Sequence, residues 1–340
     1  MATAAVSGNS RCNLMTWFPE VISMLTKRNL MLLGLLCLQV VLIGIVYMPR
    51  SQGGPVKVFF AGLKPEAVAR LAVATSDGRS VTVVRQGNGW IVDAPMHYPA
   101  DRDKIENLLT RFAGLRSDRL VGQTKEAHTR FQVGASRFGQ KVTLTLTTGG
   151  ERIIYLGSSP SYTSAHVRVE GDDKVYLVSE LAGWQVPAEE KFWWQREYLV
   201  AKPEELREIT LVNRAGTIRL TSDGKKWQLA EGGAGLALDQ AKAQEFVAAV
   251  TRIALTDYLG QEEKKEYGLD KPFATLTLIG KGGATTLVVG AKDEKAELGG
   301  SYVLKSSASP FYVRGGGGML APLVERKVAD LFAGAEVAKP

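Results

Sequence analysis

Three histidines, His97, His128 and His166, are the residues of this 340-residue chain best suited to acid–base or metal chemistry near neutral pH. Their separations match no local metal motif, in which two ligands sit within a helical turn or across a tight loop. The two cysteines, Cys12 and Cys37, both precede residue 50, so the rest of the chain has neither a disulfide nor a thiolate metal site. "GKGGATT" (280–286) resembles a phosphate loop but lacks the G-x-x-x-x-G-K-[ST] spacing, and a hairpin turn accounts for it better. "RGGGGML" (314–320) precedes no catalytic pattern and reads as a flexible connector. There is no G-x-S-x-G elbow for a serine nucleophile. Asp172 and Asp173 belong to a "GDDK" turn, and the run Glu262–Glu266 mixes charges as a solvated surface does. An enzyme built on His97 or His166 would have no recognisable acid–base partner. The reading is a protein with no catalytic residue, metal or cofactor.

Aromatic side chains are the one unusual local feature. Trp184 lies just before "KFWWQREYL" (191–199), which carries Phe192, Trp193, Trp194 and Tyr198. Neighbours on a helix are about 100° apart, so Phe192, Trp193 and Trp194 cannot share one face. They form either a core between two parts of the chain or a partner-binding surface, where Trp and Tyr give large contact area at low entropy cost.

The elements around these residues repeat. "PEAVARLAV" (65–73) returns as "PEELREITL" (203–211), 138 positions later, and Gly78 and Gly216 share that offset. Trp90 and Trp227 then open matching apolar alternations. A helix follows in each half, over 101–115 with Ile105, Leu108, Leu109, Phe112 and Leu115 in one stripe, and over 239–253 with Ala243, Phe246, Val247, Val250 and Ile253. Asp101 and Asp239 stand at the N-caps. "RLVG" (119–122) and "DYLG" (257–260) follow, then hairpin signals at 142–157 and 274–290, with Gly149 and Gly157 matched by Gly282 and Gly290. Another hairpin comes at 165–178 and 301–314, and helical stretches are predicted at 188–199 and 320–332. The order is two strands, a helix and about four strands, given twice. The fold class is α+β: two tandem copies of a module in which an antiparallel sheet packs a helix on one face.

Ahead of the repeat, residues 30–48 form an uncharged apolar run long enough for a transmembrane helix. Leu30, Leu36, Val41, Ile45 and Tyr47 mark this anchor. The exit "IVYMPR" lacks a small-x-small cleavage pattern, and Cys37 lies mid-run, so the segment reads as an uncleaved anchor. Arg11, Lys27 and Arg28 before it favour a cytoplasmic N-terminus. Residues 14–25 place Leu14, Trp17, Phe18, Val21, Ile22 and Leu25 near one face, as an interfacial helix or a loose tail. The divisions are a tail at 1–29, the span at 30–48, a linker at 49–64 and repeats at 65–202 and 203–340. The net charge of +7 is spread without a basic block, which argues against nucleic acid as a partner.

The positions Arg196, Leu199, Ile209, Leu211, Gly216, Leu220, Trp227 and Leu229, behind a single N-terminal span, resemble the bacterial domain-of-unknown-function family 4340 over roughly residues 65–335. Gly-Gly-Ala-Gly at 232–235 replaces a proline-containing loop of that pattern. The resemblance implies an auxiliary protein of ABC-type transport systems of the gliding-motility kind and supplies no active residues. The expected function is therefore a non-catalytic accessory or scaffold subunit of the bacterial cytoplasmic membrane, single-pass, with periplasmic repeats docked on a larger integral-membrane complex. A respiratory or photosynthetic complex fits the same physics. A periplasmic ligand- or glycan-binding module is the alternative class. The expected partners are the lipid bilayer and an integral-membrane protein.

Overall fold

A computed structural model describes residues 27–47, 55–93, 97–230, 237–296 and 299–332. The chain divides into two units, Met1–Gly53 and Gly54–Pro340. In the first, helix α1 runs from Lys27 to Tyr47. It carries all five anchor positions, and Leu30, Leu36 and Val41 are exposed along it. Among the described residues no helix is long and apolar enough to cross a membrane. The interfacial helix expected at 14–25 lies outside the described residues.

The second unit contains one topology twice. The first copy runs β1 (Lys57–Val58), β2 (Val68–Ala74), β3 (Ser80–Gln86), β4 (Gly89–Val92), α2 (Arg102–Ala113), β5 (Arg116–Ser117), β6 (Leu120–Gly122), α3 (Lys125–Arg130), β7 (Gln140–Leu146), β8 (Glu151–Leu156), β9 (Ser164–Val169), β10 (Val175–Ser179) and α4 (Glu190–Trp193). The second runs β11 (Glu197–Val200), β12 (Leu206–Asn213), β13 (Gly216–Ser222), β14 (Trp227–Leu229), α5 (Gln240–Val250), β15 (Arg252–Ala254), β16 (Asp257–Gly260), β17 (Ala274–Gly280), β18 (Gly283–Asp293), β19 (Ser301–Ser306), β20 (Tyr312–Gly316) and α6 (Gly317–Val324). In space the first eight-stranded sheet reads β4-β3-β2-β7-β8-β9-β10-β6 and the second β14-β13-β12-β17-β18-β19-β20-β16. The orders are identical position for position. Trp90 on β4 and Trp227 on β14 occupy the same edge strand, and both are buried.

Alternation explains the sheets. Along β2, Val68, Leu71 and Val73 are buried, and along β12 Leu206, Ile209 and Leu211 are buried. One face of each sheet is thus apolar and needs a cover. Helix α2 supplies it with Ile105, Leu108, Leu109 and Phe112, and α5 with Ala243, Phe246, Val247 and Val250. Each large apolar side chain so buried contributes about 1.5–3 kcal/mol. Asp101 caps α2 by accepting from Lys104 N–H at 3.0 Å, and Asp239 caps α5 through Ala241 and Lys242.

Four expectations change. Each sheet has eight strands, because the stretches at 119–122 and 257–260 also pair and Gly89–Val92 and Trp227–Leu229 close the other edge. Residues 188–199 form a single helical turn followed by β11, which pairs with β15. Trp194 leaves helical geometry at φ −62, ψ 141, which lets adjacent aromatic residues reach different surroundings. Residues 320–332 divide between α6 and a 3-10 turn at Val328–Leu331. The glycine run at 314–320 is no flexible connector: Gly315 lies within β20, where an added Cβ would meet Leu304 Cδ1 at 2.7 Å, and Gly317 begins α6 against Gly299 O.

The short ribbons link the copies. β1 pairs with β5, and β11 pairs with β15, so each copy is entered by a strand from the segment before it. One continuous apolar core runs through both copies, from Phe59 to Leu331.

Candidate interaction surface

The aromatic positions singled out in the sequence separate into two groups, one at the seam between the copies and one beside the surface. Trp193 is fully buried, and its indole N–H donates to Pro187 O at 3.0 Å. Trp194 is buried where the copies meet, edge-on to Tyr98 at 5.9 Å and to Tyr258 at 6.3 Å. Phe311 joins them at 5.1 Å from Tyr98 and 5.4 Å from Tyr258. Tyr198 completes the seam, donating its hydroxyl to Phe311 O at 2.6 Å and accepting from Ser306 N–H at 2.9 Å. Burial pushes the Tyr98 and Tyr258 hydroxyls above the ordinary tyrosine range, and neighbouring tyrosines add to the shift at Tyr98. Burial likewise raises Tyr198, against the hydrogen bond from Ser306.

Trp184 and Phe192 face elsewhere. Trp184 is 49% exposed and stacks on Tyr162, 72% exposed, with ring centres 4.7 Å apart. The Trp184 N–H donates to Tyr162 O at 2.8 Å, which fixes the pair as a plate on the surface. Beside it a hollow of about 240 Å³ is lined by Lys104, Leu108, Arg111, Gln185 and Phe192. Lys104 holds this wall, donating to Phe192 O at 2.6 Å while its ammonium sits 4.6 Å from the Phe192 ring. Arg111 also borders a second hollow of about 450 Å³, which continues past Gly114 to Arg116, Asp118, Arg119 and Glu180. Among the described residues the guanidinium groups of Arg111, Arg116 and Arg119 have no hydrogen-bond or ion-pair partner.

The repeat separates framework from the remainder. Lys104 has its counterpart in Lys242, which donates to Phe332 O at 2.9 Å as Lys104 does to Phe192 O. The positions 138 residues after Arg111, Arg116 and Arg119 are Ala249, Ala254 and Asp257, and counted back from the starts of β9 and β19 the position that matches Tyr162 is Gly299. The arginines and the aromatic plate are therefore not needed to build the module. Sequence reasoning missed Tyr162 and the three arginines, although asking which exposed large residues lack a counterpart in the other copy would have found them.

The histidines stay apart. His128 is buried with Nε2 2.7 Å from Asp173 O. His166 stacks on Phe131 and places Nδ1 2.9 Å from Ser158 O; burial lowers its pKa, with Arg130 adding to the effect. His97 is 3.7 Å from Asp93. Among the described residues no group of three or more His, Cys, Asp and Glu side chains could hold a metal ion.

No curated protein and no solved structure matches the chain. The model of DUF4340, a domain of unknown function, matches residues 90–272, which is more than half of the 340 residues and lies inside the 65–335 range that the pattern suggested. The match begins at Trp90 on the edge strand of the first sheet and ends just before β17, so it takes in α2, α5, Trp227 and, of the aromatic seam, Tyr98, Trp194, Tyr198 and Tyr258. With its matched region centred on the junction of two like sheets, the chain belongs to the DUF4340 family.

Proposed function

We propose that the protein is a non-catalytic accessory subunit, anchored by one span at 30–48 in the bacterial cytoplasmic membrane, whose two modules dock from the periplasmic side onto a larger integral-membrane complex. One observation carries the reading. The apolar helix is followed, after the nine residues 48–56, by a strand pinned to a single two-module body with a continuous core. A tether this short confines the modules to the membrane plane and raises their effective concentration toward membrane partners. The positive-inside bias supports a cytoplasmic N-terminus. Framework roles account for His128, Lys104 and Lys242, which bond to main-chain carbonyls. An ABC-type transporter is the proposed partner, and a respiratory or photosynthetic complex is its rival within the same class.

The test is purification of the full-length protein in mild detergent with mass spectrometry of what accompanies it. The proposal expects a defined set of integral-membrane proteins in fixed proportion. Recovery of the protein alone from several detergents would refute it.

A further inference from the structure

The second module's edge strand is covered by the first module, and among the described residues nothing covers the first module's equivalent edge in the same way. On β16, Tyr258 is 6% exposed, sealed by Tyr98 and Trp194. Its counterpart Leu120 on β6 holds the same topological position, paired to β10 as β16 is to β20, and is 46% exposed. On the entering strand β1, Val58, opposite Arg116, is 48% exposed. Around this uncovered edge lie Arg111, Arg116 and Arg119, unpaired among the described residues and replaced by Ala249, Ala254 and Asp257 in the second copy.

The chain itself indicates what lies there. Where the second module receives the aromatic segment of the first, the first module receives the linker from α1. Nine residues at about 3.5 Å each reach at most about 30 Å. Polar groups on the edge differ in the same sense, since Lys57 pairs with Asp172 at 3.1 Å on the turn whose counterpart in the second module carries Phe311. Exposed valine and leucine with free guanidinium groups and a Trp–Tyr plate at the far rim is the composition of a surface at headgroup level, where arginine forks to phosphate and aromatic rings sit between polar and apolar layers.

We infer that the uncovered edge of the first module, comprising Val58, Leu120, Arg111, Arg116 and Arg119 with Trp184 at its rim, rests on the anionic phospholipid surface of the bilayer. This contact takes the place that a preceding module would fill and turns the second module outward. It rests on the membrane-anchor reading above.

The test uses the full-length chain, with Cys12 and Cys37 replaced by serine, in nanodiscs of mixed anionic and zwitterionic phospholipid. Spin labels are placed singly by Leu120→Cys, Thr110→Cys and, as a control on the second module, Val212→Cys, whose parent valine is 47% exposed. Co-elution of protein with nanodiscs reports the anchor independently of the labels, and its absence would refute the anchor reading and this inference together. With the anchor retained, labels at 110 and 120 are expected to show several-fold lower collision with a water-soluble nickel chelate than the label at 212. The difference is expected to be lost in the combined Arg111→Gln, Arg116→Gln, Arg119→Gln variant and to shrink in purely zwitterionic discs. Equal accessibility at all three sites would overturn the inference while leaving the anchor standing. Protection that arises only when a membrane protein extract is added would also overturn it, in favour of a protein on this edge.

Discussion

At the scale of single residues, the two copies report on each other. Gly157 and Gly290 were paired by spacing alone, and the structure gives them one role: a Cβ at Gly157 would run into Phe131 O, and one at Gly290 into Tyr267 O. Both are backbone contacts that cannot rotate away. Gly157→Ala and Gly290→Ala are each expected to lower stability by about 1–3 kcal/mol through overpacking, read as a fall in denaturation midpoint. Gly282→Ala, where nothing lies within 4 Å and φ is not positive, is expected to stay within about 0.5 kcal/mol of the parent. A neutral result at 157 and 290 would show that these contacts relax. The helix caps behave alike: Asp101→Ala and Asp239→Ala are each expected to cost about 1 kcal/mol. The framework was legible because packing, capping and turn geometry constrain residue type at a fixed offset. Tyr162, Arg111, Arg116 and Arg119 were not, because no periodicity marks a solvent-facing side chain that the fold does not require.

At the scale of elements, the stretch 188–199 shows where sequence reasoning stops. Its composition suits a helix, but Trp193 and Trp194 are buried among different neighbours, and β11 gains its main-chain partners from β15, beyond the second helix. Tertiary pairing overrides local preference there. The conflict was detectable, since three adjacent aromatic residues cannot share a helical face, but the strand partner lies more than fifty residues on and leaves no local trace. The seam that results is expected to weaken in alkali. Tyr98, Tyr198 and Tyr258 all have folded pKa values raised by burial. Between the unfolded value near 10 and the raised folded values, the unfolded chain binds fewer protons, so stability falls as pH rises. Thermal midpoints should therefore hold below about pH 9 and decline above about pH 10, and Tyr98→Phe should flatten the decline. An identical slope in Tyr98→Phe would remove Tyr98 from that account.

At the scale of the whole molecule, the continuous core from Phe59 to Leu331 predicts that both copies melt together. Scanning calorimetry of the full chain in detergent should give one transition for the two modules. Trp194→Ala, which removes a ring at the seam, should cost about 3–5 kcal/mol and is the change best placed to split it. Two resolved transitions in the parent protein would mean that the seam is weaker than its burial suggests. A body of this kind suits a docked subunit: its shared positions build the frame twice, and Arg111, Arg116, Arg119 and Tyr162, which the second copy does not repeat, lie on the first. Cross-linking with mass spectrometry in intact membranes tests the docking claim most directly. The account predicts that lysines of the two modules link reproducibly to the outer-face loops of one set of integral-membrane proteins. Links confined to the chain itself, at native abundance and in unbroken membranes, would contradict it.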